Sequence, residues 1–181
     1  MVETRSDPVS LLFRYHLDER RRALFPPGSR VLEIRASGEA GEGPFDGAWA
    51  EPGALDGAEP RPLARRLADA LRPGAPLLIC VRSPWPLPAL LATALTGAGS
   101  PRGANGGGSP SLRELRAAFG PAFTWRGVFA LGLLLPAPED SAWVAENPQV
   151  FGLLAAAEGR LRGWPVLRGL GAFAVLEGVR A

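Results

Sequence analysis

Leu63-Ala64-Arg65-Arg66-Leu67-Ala68-Asp69-Ala70-Leu71-Arg72-Pro73-Gly74-Ala75-Pro76-Leu77-Leu78-Ile79-Cys80-Val81 is the stretch from which the rest of the chain can be read. Leu63, Ala64, Leu67, Ala68 and Leu71 recur at helical spacing and mark one apolar face. Arg72-Pro73-Gly74 ends that helix, because proline has no amide donor and glycine accepts the left-handed turn. Pro76 to Val81 follows as an unbroken apolar run of strand length. A strand covered on one face alternates; an unbroken run implies cover on both. A helix turning directly into such a strand is the unit of an α/β sheet.

Upstream, Asp7-Pro8 supplies an N-cap and a proline at the first helical position. Val9, Leu12, Phe13, Leu17 and Leu24 then predict a helix over 9–24, stopped by Phe25-Pro26-Pro27-Gly28. Arg30-Val31-Leu32-Glu33-Ile34 reads as a short buried strand, 35–44 as a loop, and Phe45 to Ala50 as a second strand. Downstream, 87–96 reads as an apolar helical segment and Gly97 to Pro110 as a flexible loop around Gly106-Gly107-Gly108. Ser111-Leu112-Arg113-Glu114 is a capping box, opening a helix that ends at Gly120-Pro121. Thr124 to Leu135 reads as a long strand, Asn147-Pro148 opens a helix through about Leu161, and Gly171 to Val179 closes the chain as a strand. The alternation predicts a single α/β domain over 1–181 with an antiparallel end to its sheet.

Composition bounds the function classes. The chain has 181 residues, 46% of them hydrophobic, enough for one core. No apolar run approaches the roughly 18 residues of a membrane span, and the charged start Met1 to Asp7 has no apolar stretch of a signal peptide. The lone Cys80 excludes an intrachain disulfide and fits a reducing, cytoplasmic setting; its apolar neighbours predict a buried thiol. All twenty basic residues are arginine and the net charge is only +2. The one basic run, Arg20-Arg21-Arg22, follows Asp18-Glu19 and reads as a solvated helix face. Without a basic stripe and interleaved aromatics, nucleic acid is not an expected partner.

Catalytic motifs are sparse. His16 is the sole histidine, readable as a general base or as a packed helix residue, and with Cys80 it has no zinc-ligand spacing. Neither the phosphate-binding loop pattern nor a nucleophile elbow occurs. The acid pairs Asp18-Glu19 and Glu139-Asp140 read as solvated carboxylates.

Five passages, in order, resemble class I S-adenosylmethionine-dependent methyltransferases. Phe25 to Ile34 is similar to the approach to that family's first strand, and Phe45-Asp46-Gly47-Ala48-Trp49 to its fourth. Leu71-Arg72-Pro73-Gly74-Ala75-Pro76-Leu77-Leu78 resembles the turn into the fifth. Ser111 to Phe119, with Phe123, resembles the helix before the sixth, and Gly171 to Glu177 the seventh. The resemblance implies a reduced Rossmann-like sheet of about five strands. In family naming its order would be 1-4-5-7-6, with the last strand pair antiparallel and helices on both faces. It also places Trp85 to Leu91 where relatives often bind an acceptor substrate.

The departures fall at the cofactor site. The family's first strand runs into a glycine-rich turn, where the backbone bends tightly and the ligand comes close. Here the stretch is Glu33-Ile34-Arg35-Ala36-Ser37-Gly38-Glu39: Arg35 and Ser37 stand at glycine positions and Glu39 replaces the last. Two further strands with their helices, one carrying the acid that binds the ribose, are replaced by the ten residues 35–44. A βαβ unit needs roughly 30 residues. Ten extended residues reach about 33 Å, enough for a bare return loop.

The expectation is therefore a non-catalytic, methyltransferase-like pseudoenzyme without cofactor, catalytic residue or metal. It would work as an interaction or assembly subunit. With two strands missing, the first strand becomes an edge, so Val31, Leu32 and Ile34 are the expected interface to a protein partner or a homodimer. The alternative is a methyltransferase of a small molecule, active alone or completed by a partner chain. In that case Glu33, Gly38 and Asp46 would bind S-adenosylmethionine.

Overall fold

The computed structural model describes residues 7–35, 43–83, 86–87, 90, 108–135 and 141–181. The readings of 35–44, 87–96 and 97–110 fall largely outside these residues, and Gly38 lies wholly outside them. Helix α1 spans Pro8–Leu24, with the Asp7 carboxylate accepting from the Ser10 N–H at 2.8 Å. Strands β1 (Val31–Ile34) and β2 (Gly47–Ala50) precede helix α2 (Pro60–Ala70) and strand β3 (Pro76–Arg82). Helix α3 (Leu112–Phe119), started by the expected capping box, leads into β4 (Phe123–Leu131). Helices α4 (Ser141–Glu146) and α5 (Pro148–Leu161) come before the closing strand β5 (Phe173–Arg180).

The five strands form one sheet in the order β1-β2-β3-β5-β4, counted along the chain. The β1–β2 and β2–β3 pairs are parallel, and β5 runs antiparallel to both β3 and β4. The unbroken run 76–81 explains its own position: β3 is central and buried on both faces. Leu77, Ile79 and Val81 pack with Leu63, Leu67, Leu115 and Phe119 of α2 and α3. Leu78 and Cys80 face the other way, with Leu17 of α1, Phe25 and Trp49. Helices thus cover both faces. Each such leucine contributes about 1.5–3 kcal/mol by leaving water.

Two elements differ from the expectation. The apolar run 124–135 is strand only to Leu131, although Leu133 and Leu135 are buried too. Gly132 turns the chain at φ +70, and a Cβ there would lie 2.8 Å from the Phe13 ring and from the Ala172 side chain. The Leu133 and Leu134 amides, turned away from the ladder, donate to the Glu158 carboxylate at 2.8–3.0 Å. Helix α4 was not anticipated; six residues are too few to show a period.

Candidate functional site

The parallel strands β1 and β2 end in register at Ile34 and Ala50, and β3 runs on past Ile79, the partner of Ala50, to Arg82. In an open α/β sheet, ligands bind outside such carboxyl ends. At this end Glu33 is bound by the chain's own Arg35, whose guanidinium donates to it at 2.7 Å. That hydrogen bond holds the Glu33 carboxyl below its ordinary range. Beyond β2, residues 51–58 fold into tight turns, with Ala54 N–H on the Glu51 carbonyl and Ala58 N–H on the Leu55 carbonyl. The turns bury Leu55 in the core. Next to it, Asp56 lies 3.5 Å from the Arg82 guanidinium and accepts from the Ser109 hydroxyl. The described part of this end is occupied by internal side chains and ion pairs.

Asp46 lies elsewhere. It precedes β2 and accepts from the Arg30 backbone N–H at 2.9 Å and from the Arg72 guanidinium. Its own N–H donates to the Arg30 carbonyl. These bonds fasten the amino ends of β1 and β2 to the turn before β3. The structure does not bring Asp46 to Glu33.

Of the expected interface residues, Leu32 and Ile34 are buried under α2, and Val31 packs partly against the α1 side. What β1 presents outward is its backbone. Among the described residues no strand pairs with that edge. The opposite edge is better protected: β4 bulges between Trp125 and Gly127, and its Ala130 N–H donates to the Arg162 carbonyl.

Beside the β1 edge runs an open groove of about 490 Å³, lined by Asp18, Arg21, Arg22, Phe25, Pro26, Ser29 and Val31. The arginine run read as one solvated face is split by the turn of the helix. Arg20 lies over the Phe129 ring and 3.6 Å from Glu177, while Arg21 lies over the Trp49 ring at 4.6 Å. A signal was present: Arg21 follows the buried Leu17 by four residues, so its stem shares the sheet-facing stripe.

His16 Nδ1 accepts from the Arg162 guanidinium at 2.8 Å, and the ring packs edge-on to Tyr15. Cys80 is buried and its thiol is pushed up to about 12. Among the described residues, no cluster of histidine, cysteine and carboxylates is placed to hold a metal ion, and no helix is long and apolar enough to cross a membrane.

No family model and no curated protein matches the sequence. Among solved structures, the chain is similar to the [4+2]-cyclase SpnF at 21% identity and a TM-score of 0.46, covering 81% of this chain. It spans about half the length of that cyclase, 53%. Likeness at this level assigns neither a family nor an activity.

Proposed function

We propose that this chain is a non-catalytic, methyltransferase-like protein that acts as an interaction or assembly subunit through the edge of β1. If β1 to β5 correspond to family strands 1, 4, 5, 6 and 7, the sheet order reads 1-4-5-7-6. The observation that carries the reading is the position of β1, paired with β2 on one side and with no strand on the other among the described residues. An apolar sheet edge is a template for pairing and is normally covered. The Glu33–Arg35 pair at the carboxyl end of β1 adds support, because it engages the one acid of the family's first-strand motif that this chain keeps.

The experiment is affinity purification of the tagged chain and of Glu33→Pro, followed by mass measurement in solution. Proline at an edge position whose N–H faces outward blocks strand addition and leaves the inner ladder intact. A complex or dimer formed by the native chain and lost in the variant supports the reading. A stable monomer that retains no partner contradicts it.

A further inference from the structure

Resting on the reading of β1 as a partner-binding edge, we propose that its occupant is an extended acidic segment of another protein, added as a strand with carboxylates on Arg21 and Arg22. The backbone fixes which groups receive it. The Arg30 carbonyl accepts from the Asp46 N–H at 2.8 Å, and the Arg30 N–H donates to the Asp46 carboxylate at 2.9 Å. Peptide groups alternate sides along a strand, so Leu32 and Ile34 also turn theirs to β2, while Val31 and Glu33 turn theirs outward. Two outward residues can exchange hydrogen bonds with a segment of a few residues.

The groove fixes the chemistry of the added side chains. A strand laid beside β1 places every second side chain on the face that carries Val31, over the groove walled by Arg21 and Arg22. Phe25 and Val31 offer an apolar floor; in the groove lining Asp18 is one negative charge against two positive ones, and Glu33, two residues beyond Val31 on the same face, is paired with Arg35. Arg21 lies over the Trp49 ring, and Arg22 has no ion pair among the described residues. Guanidinium groups held this way suit carboxylates of an extended chain, whose main-chain bonds supply the rest of the affinity.

A second copy of the chain fits less well. Antiparallel pairing of β1 with itself about a two-fold axis puts Arg21 and Arg22 of both copies on the same face of the join, where like charges repel.

The test is fluorescence anisotropy of the full chain with two labelled nine-residue peptides, one alternating glutamate and valine, the other lysine and valine. The proposal expects saturable binding of the glutamate peptide only, weakened about tenfold by Arg21→Ala with Arg22→Ala. Glu33→Gln removes a repelling charge and tightens binding. Glu33→Pro removes the same charge but also an outward N–H, and weakens it. Equal tightening by both Glu33 variants would show adhesion by charge alone and overturn the proposal. Equal binding of the lysine peptide, with Glu33→Pro still weakening it, would remove the acidic assignment and leave the edge. No effect of Glu33→Pro on any peptide would remove both. Dimerisation that the glutamate peptide cannot displace would assign the edge to a second copy instead.

Discussion

The Asp46 carboxylate accepts the Arg30 backbone N–H at 2.9 Å, and this bond ties the start of β1 to the start of β2. The same carboxylate meets Arg72, in the turn that leads to β3. Asp46→Ala should cost about 1 kcal/mol of stability, most of it from the Arg30 bond, since an exposed ion pair contributes little. Urea unfolding measures the loss. An unchanged midpoint would show that the amino ends hold without it.

Glu158 is the one wholly buried charged side chain among the described residues, and it serves the turn that ends β4. Both its oxygens accept from Leu133, and one also from Leu134. Glu158→Ala leaves two turned-in amides without a partner and should cost at least about 2–3 kcal/mol. Thermal unfolding of the variant, compared with Glu146→Ala at an exposed position of α4, separates this from a general loss of acid.

His16 carries a pH dependence. Burial, then the Arg162 charge, holds its imidazole below the ordinary 6.5, with Glu19 and Glu158 partly opposing. The unfolded chain takes up the proton first as pH falls, so the contribution to stability is complete above about 6.5 and is lost through the lower folded value. Urea midpoints at pH 7.5 and 5.5 should fall more for the native chain than for His16→Asn. Parallel declines would remove His16 from the account.

Cys80 should report global opening. Its thiol lies in the centre of β3, and burial alone raises it to about 12, so almost no thiolate exists at pH 8. A thiol reagent should label it only at the rate of unfolding, accelerating with urea. Prompt labelling of the folded chain would mean that β3 is reached without opening of the sheet.

The sequence exposed the centre of this molecule better than its ends. The run Leu77 to Val81 has one physical solution, a strand covered on both sides, and it takes that place. Leu133 and Leu135 were misread because burial, not strand pairing, makes them apolar; the acid that holds their turn, Glu158, is 25 residues away. Glu33 and Asp46 illustrate the limit at the site. Resemblance placed them in one pocket, yet the pairing Val31 with Gly47 sets Asp46 at the amino end and Glu33 towards the carboxyl end. Arg21 and Arg22 were legible as a helix face. Their place beside β1 was not, because it depends on how α1 lies across the sheet.

The most direct measurement is calorimetric titration of the purified chain with S-adenosylmethionine and S-adenosylhomocysteine. A scaffold without a cofactor pocket gives no saturable heat, even at millimolar ligand. Saturable binding in the micromolar range would mean that a cofactor pocket exists, and would contradict the reading of this chain as a non-catalytic subunit.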